Sequence, residues 1–261
     1  MMKQIFDDDY TLFSNLKSNH YSRRIISHYD AYGIKYDFCR FFQMISSKGT
    51  VCGLVSLFNS AMMVALYNGK TLDKEGIADL AFLVRVNKPQ TVELEPVYAK
   101  QLISYVADSY ELGERHEFQF VSKNTLPDFD VDEMPKLDDV FAILKTGFPA
   151  LADSYDLWLT DTSHRVRRGY SQAFLLSGCT TATVQYIVDN CALVGQVATL
   201  PEFRGKMYAR SLLYWVGERL NLDNISVFLF ARNHRKSYYE EIGFKEIGVD
   251  YVLDYKGDKN E

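Results

Sequence analysis

The sequence predicts an α/β protein with a mixed sheet, built from two tandem copies of one unit. Three observations carry this reading. Segments rich in β-branched and alternating apolar residues are interleaved with segments whose apolar positions recur at helical spacing. The order three strands, helix, strand, helix, strand occurs twice along the 261 residues. Between the two runs lies KNTLPDFDVDEMPK, residues 123–136, an acidic stretch whose two prolines interrupt all periodicity. The expected domains are therefore 1–126 and 137–261.

In chain order, the first copy reads as helix-rich to about Tyr36. CRFFQMIS, TVCGLVSLFN and AMMVALYN follow as strands. Ile77, Leu80, Ala81 and Val84 then mark one face of a helix. TVELE reads as a short strand, Tyr98, Leu102 and Tyr105 as a second helix in register, and HEFQFVS as the closing strand. The second copy opens with a helix over LDDVFAILKTGF. Its strands are YSQAFLLSG, TATVQYIVD and CALVGQVAT. A long helix carries Ala209, Leu212, Leu213, Val216 and Leu220; the strand ISVFLFA, the short helix RKSYYEEI and the strand GFKEIGVDYVLDY complete the order.

The totals exclude several classes. A net charge of −5 argues against a nucleic-acid partner, which favours a basic face. Apolar runs of membrane-spanning length do not occur. MMKQIFDDDY places an acidic run where a secretory segment would be apolar, so a cytoplasmic location is expected. The four cysteines, at 39, 52, 179 and 191, are not in C-x-x-C spacing. They read as reduced, mostly buried thiols rather than zinc ligands, and no metal is expected.

One junction departs from ordinary strand-helix chemistry. In TLPEFRGKMYARSLLYW, residues 199–215, an Arg-Gly-Lys turn separates an apolar strand from an apolar helix. The first N–H groups of a helix lack internal partners and lie at its positive end, which makes the junction an anion site. Arg204, Lys206, Arg210, Arg232, Arg235 and Lys236 gather at two helix starts of an acidic chain. Basic groups there oppose the helix dipole, so their placement points to a polyanionic ligand. The first copy has only an echo, TLDKEG, without the basic turn.

VATLPEFRGKMYARSLL resembles the acyl-CoA-binding segment of the GNAT N-acetyltransferases, in which a strand leads to Arg/Gln-x-x-Gly-x-Gly/Ala at the start of a helix. The matching positions are Arg204, Met207 and Ala209, with Gly205 after the arginine. Met207 stands where the family has glycine; a helical residue there would still present its N–H. ARNHRKSYYEEIGF resembles the family's asparagine, tyrosine and Gly-Phe segment. Tyr239 and Gly243-Phe244 match in spacing, and Asn233 is one residue closer to the tyrosine than usual. The resemblance spans about residues 137–255.

The resemblance implies a mixed sheet splayed between its fourth and fifth strands, with acetyl-CoA in the splay. It implies acetyl transfer from acetyl-CoA to a primary amine, small-molecule or peptide, by direct attack in a ternary complex. Backbone groups of Val197, Ala198 and Thr199 would pair with the pantetheine arm. Arg204, Gly205, Lys206, Met207, Tyr208, Ala209 and Asn233 would hold the remainder of the donor. Tyr239 would face the thioester sulfur, with Tyr238 beside it. The first copy would be a degenerate GNAT-like domain without a ligand. A non-catalytic acyl-CoA-binding or regulatory module is the alternative.

The chemistry sets two demands. An alkyl ammonium of pKa about 10.4 costs roughly 4–5 kcal/mol to deprotonate at neutral pH, so a base or water chain is needed. Gln196 occupies a position where several relatives place a carboxylate, and an amide is no base; Asp161, His164, Asp189 and Glu202 remain open. A phenol near 10 protonating a thiolate near 8.5 is uphill by roughly 2 kcal/mol, so a hydrogen bond from Tyr239 is the more economical role. Trp158, His164, Arg165 and Arg167, in DLWLTDTSHRVRRGY, border the acceptor site or lie on a helix docked against the first half.

Overall fold

Apolar alternation in the first copy becomes sheet as expected, with one addition at its edge. The computed structural model describes residues 1–257. β1 (Met2–Gln4) is a strand where the sequence reads as helix, and it pairs antiparallel with β2 (Cys39–Ile45). Between them run α1 (Thr11–Ser14) and α2 (His20–Tyr32), the latter opened by an Asn19–Ser22 capping box. β3 (Val51–Phe58) and β4 (Ala61–Leu66) continue the antiparallel order. α3 (Lys74–Asn87) leads to β5 (Thr91–Glu93), which runs parallel to β4 over three residue pairs. α4 (Pro96–Val106) and β6 (Tyr110–Phe120) follow. Alternate residues feed two cores. Val55, Met62 and Val64 pack with Leu80, Val84 and Leu102 of α3 and α4, while Leu54, Met63 and Phe41 pack with Ile25 of α2.

The second copy repeats the plan. The proline-rich stretch yields β7 (Val131–Asp132), and α5 (Leu137–Gly147) and α6 (Tyr155–Val166) pack together. β8 (Gln172–Leu176), β9 (Thr180–Val188) and β10 (Cys191–Thr199) are antiparallel. α7 (Tyr208–Leu222) precedes β11 (Ser226–Ala231), which is parallel to β10. α8 (Lys236–Ile242) and β12 (Phe244–Tyr255) end the order. Leu212, Leu213 and Val216 of α7 bury against Val184, Val194 and Leu229. On the alternate face Ala173 and Ala198 meet Val140, Leu144 and Trp158.

The last strands are exchanged. One unit comprises Met1–Arg115 with the residues from Val249 on, and the other His116–Gly248. Strand order is β1-β2-β3-β4-β5-β12 in the first and β7-β8-β9-β10-β11-β6 in the second. β5 pairs with residues 252–254 of β12, and β11 with residues 116–119 of β6, both antiparallel. The expected division at 126/137 does not coincide with these units. Residues 116–126 sort with the second, and residues 249–257 with the first. Nothing in local composition marks the change, because β6 and β12 run through it as unbroken strands.

A buried ion cluster fixes the borrowed strand of the first unit. Arg115 on β6 donates to Asp250 on β12 at 2.7 Å and pairs with Glu93 on β5, while the Tyr21 hydroxyl donates to Asp250. His20 Nε2 lies 3.5 Å from Asp250. Burial pushes both carboxyls up, yet both lie below their ordinary values: Arg115, Arg24 and His20 together outweigh burial for Glu93, and His20, Arg115 and the Tyr21 bond together do so for Asp250.

Two outcomes follow from this arrangement. Arg115→Ala leaves two carboxylates buried without their cation, so unfolding in urea is expected to lose roughly 3–5 kcal/mol. A chain beginning at residue 130 lacks Phe118 and Phe120, both buried in the second unit's core, and leaves the β11 edge unpaired. It is expected to be insoluble or without cooperative thermal unfolding, whereas the full chain melts cooperatively.

Candidate active site

The second unit opens between β10 and β11. Parallel pairing holds from Cys191↔Ser226 to Leu193↔Phe228 and then ends. On its other side β10 shifts register against β9 between Gly195 and Ala198, so Gln196 and Val197 have no paired partner there. Gln196 takes a left-handed φ of +51° inside the strand, the mark of a bulge. A cavity of about 710 Å³ fills the opening. Val194 to Thr199 form one wall, Leu229 to Arg232 the other, and Thr146, Gly147 and Phe148 at the end of α5 border it. A second cavity of about 610 Å³ lies at the start of α7, lined by Gly205, Met207, Tyr208, Arg210 and Tyr238 among others.

The α7 N-terminus is open. Gly205 (φ +77°) and Met207 (φ +65°) are both left-handed, and no side chain caps the helix. Helical geometry begins at Tyr208, so the expectation of a helical Met207 is corrected: a positive φ, and not only close backbone approach, is why glycine suits this position. The equivalent helix start in the first unit is closed. Asp73 accepts from the Gly76 N–H at 2.7 Å and from Ser47 at 3.0 Å. Those bonds hold its carboxyl below the usual range. The β3–β4 register runs without a shift, so the first unit has no bulge at the position equivalent to Gln196 and no open end at the start of α3.

Of the sequence-predicted binding residues, Val197, Ala198 and Thr199 line the larger cavity, Gly205, Met207 and Tyr208 the smaller, and Arg204 and Ala209 both. Arg204 is already engaged. Its Nε donates to the Thr199 carbonyl and its Nη2 to the Thr146 carbonyl, each at 3.0 Å, which ties the end of α5 to the end of β10. Lys206 lies over the Phe203 ring at 5.2 Å and borders neither cavity. Asn233 is exposed and also outside both; Arg232, one residue earlier and thus at the family's usual distance from the tyrosine, lines the larger one. Arg210 and Lys236 are paired with Glu241 and Glu246. Lys206, Arg232 and Arg235 have no ion pair among the described residues.

Tyr239 borders the larger cavity, packed on Phe118 and Phe244 with centroids 5.7 and 6.1 Å away. Burial raises its hydroxyl pKa above the ordinary phenol value, against a smaller opposite pull from Arg235. Tyr238 borders the smaller cavity, with Arg210 4.8 Å above its ring. None of the four candidate bases lines either cavity. Asp189 sits in the β9–β10 turn, Asp161 pairs with Arg165 at 2.7 Å, His164 bonds Arg168 at 3.0 Å, and Glu202 is exposed. His234, overlooked in the sequence, lines the larger cavity; its place between Asn233 and Arg235 in the turn before α8 was the available signal. Trp158 is buried against Phe141 and donates to Gln196 Oε1 at 3.3 Å, so its helix buttresses the bulge.

No protein-family model and no curated protein matches the sequence. Solved structures do match. A GCN5-related N-acetyltransferase from Sphaerobacter thermophilus superposes with a TM-score of 0.64 at 12% identity, over 97% of this chain and 94% of its own. An acetyltransferase of the GNAT family from Colwellia psychrerythraea gives 0.59 at 11%, over 98% and 99%. A tandem GNAT protein from the clavulanic acid biosynthesis pathway gives 0.58 at 11%, over 100% and 99%. The fold is that of the GNAT acetyltransferases. The tandem GNAT protein aligns along the whole chain, in keeping with the duplicated strand order.

Left-handed backbone at a residue other than glycine costs about 1–2 kcal/mol, and Met207 is 63% exposed, so little packing offsets it. Met207→Gly is expected to raise stability by on the order of 0.5–1 kcal/mol after glycine's greater unfolded-state freedom is subtracted. Urea unfolding checks this; an unchanged or lower midpoint would show that the turn is not strained.

Proposed function

We propose that the chain is an N-acetyltransferase that carries acetyl from acetyl-CoA to a primary amine, with the second unit as the active one. The observation that carries this is the uncapped α7 N-terminus beside a splayed, bulged strand, set against a first-unit helix start closed by its own carboxylate. The residues fit a CoA thioester. The open N–H groups of α7 and the cations Lys206, Arg232 and Arg235 suit its phosphates. The unpaired edge of β10 from Val194 onward suits the amides of the pantetheine arm, as an added strand would. Acetyl-CoA supplies the activated acyl carbon.

This chain's residues then hold the reacting groups together in one site, so that amine attack is effectively unimolecular. Tyr239, with its raised pKa, is suited to hydrogen-bond the departing sulfur rather than to give up its proton. His234 is the imidazole that lines the cavity, and it offers a route for the proton that the amine loses. A second reading, a non-catalytic acyl-CoA-binding module, draws on the distance of every predicted carboxylate from the cavity. Absence of any carboxylate is compatible with turnover if His234 or water takes the proton. No helix among the described residues is long and apolar enough to cross a membrane, and we place the protein in the cytoplasm.

Calorimetry with acetyl-CoA tests the binding half. Arg204→Ala frees the ends of α5 and β10 and removes a charge, and is expected to weaken binding by about 1.5–3 kcal/mol. Unchanged affinity would count against the site. An amine screen that follows CoA thiol release tests turnover. With an acceptor in hand, Tyr239→Phe is expected to lower kcat about 10- to 1,000-fold at nearly constant KM for acetyl-CoA. Tyr238→Phe should change it little, since that ring faces the other cavity. Binding without release on any amine would favour the non-catalytic reading.

A further inference from the structure

The carboxamide of Gln196 is oriented by its neighbours. An indole N–H can only donate, so the amide atom 3.3 Å from Trp158 Nε1 is the carbonyl oxygen. The same oxygen lies 3.3 Å from Thr183 Oγ1, whose proton is shared with the Gly195 carbonyl at 3.0 Å. The NH2 end is thereby turned away from both anchors. It has no hydrogen-bond partner among the described residues and is not among the atoms sealed from solvent, and Gln196 borders the larger cavity. Gln196 sits toward the closed end of the splay, three residues beyond the last β10–β11 pair. Glycine precedes it: a Cβ on Gly195 would fall 2.4 Å from Gln185 Nε2, so the bulge is packed tightly from behind.

Two N–H donors at that point match an oxygen and mismatch an ammonium, which is itself only a donor. Building on the acetyltransferase reading, we propose that Gln196 is a catalytic residue that donates a hydrogen bond to the acyl oxygen of the thioester. In the step concerned, the amine nitrogen bonds to the acyl carbon and the C=O π pair moves onto oxygen. That pair returns as the C–S bond breaks. Sulfur leaves with the bonding electrons and gains one proton, and the nitrogen loses one. Negative charge therefore builds on the oxygen, and a donor already fixed at its other end stabilises it without reorganising. The role explains why an amide serves at this position: a carboxylate would be an acceptor facing an acceptor.

Gln196→Glu separates this role from a structural one. The carboxylate keeps an oxygen for Trp158 and Thr183 and loses both N–H donors. The probe is acetyl-CoA labelled with ¹³C at the thioester carbonyl, bound at pH 8 and followed by isotope-edited infrared difference spectra beside calorimetry and thermal melts. The carbonyl stretch is expected to fall on binding to the wild-type protein and to return to the free-ligand value in Gln196→Glu, with affinity within about threefold. Gln196→Met, which also lacks the donors, gives the same reading if the glutamate variant does not fold. Trp158→Phe, which loosens the anchor and keeps the NH2, should retain most of the shift. An identical stretch in wild type and both variants, or no shift in wild type, overturns the proposal while leaving the acyl-CoA site standing. Failure of the wild-type protein to bind acetyl-CoA in calorimetry overturns both.

Discussion

Parallel pairing between β10 and β11 stops at Leu193, and the geometry of the site depends on that stop. β11 cannot follow β10 as it turns aside, because its other edge is held by β6 through Phe228↔Gln119 to Ala231↔His116. β10 is displaced by one extra residue, with Gln196 and Val197 together opposite the single Ala182 of β9. The strands then flare from a fixed point, and their unpaired backbone groups face the cavity. A buried, unsatisfied backbone group costs about 1–3 kcal/mol, so an opening of this kind persists only where water or a ligand can reach it. The exchanged strand is thus part of the site's construction: residues 116–119, from the first half of the sequence, clamp one wall of a cavity in the second unit.

The two units meet the same backbone problem in opposite ways. Each has a helix start after its fourth strand, with N–H groups that need partners. In the first, Asp73 supplies a carboxylate and fixes a negative charge where an anion would have to sit. In the second, a left-handed Met207 supplies nothing, and Arg204 and Lys206 stand just before it. The inversion of charge at an otherwise equivalent junction is the basis for proposing the second unit, and not the first, as the polyanion site. It requires only a few residue changes at one junction, so two units can share an architecture and differ in the charge they present there.

Periodicity made most of this fold legible. The strands and helices of both copies follow from alternation and helical spacing, and the Arg-Gly-Lys turn pointed to a helix start that lies beside a cavity. Spacing to Gly243-Phe244 also gave the register in which Tyr239, and not Tyr238, meets the splay. What stayed hidden depends on contacts between distant residues. The exchange of β6 and β12 leaves no local trace, since a strand reads the same whichever neighbour it pairs with. Asn233 looked like the conventional asparagine by type, yet geometry puts Arg232 at the cavity. The role of Arg204 as a clamp on Thr146 depends on a carbonyl 58 residues away. β1 is three residues long, too short for any period to register.

Backbone strain adds an independent argument for where function lies. Among the described residues other than glycine, nine have positive φ. Asn59, Asn124, Ser177, Asp189, Asn190 and Asn224 are short polar residues in turns or loops, where the left-handed region is tolerated, and Lys88 closes α3 as an ordinary helix end. Gln196 and Met207 fit neither description. One lies inside a strand and the other directly before a helix, both have long side chains, and they border the two adjoining cavities. Strain of about 1–3 kcal/mol at each must be offset by its surroundings. For Gln196 the offset is visible in the bonds of its carboxamide to Trp158 and Thr183; for the exposed Met207 none is. A conformation kept without local compensation, directly before a helix start that no side chain caps, is what the proposed acyl-CoA ligand would account for, since it would use the N–H groups the turn exposes.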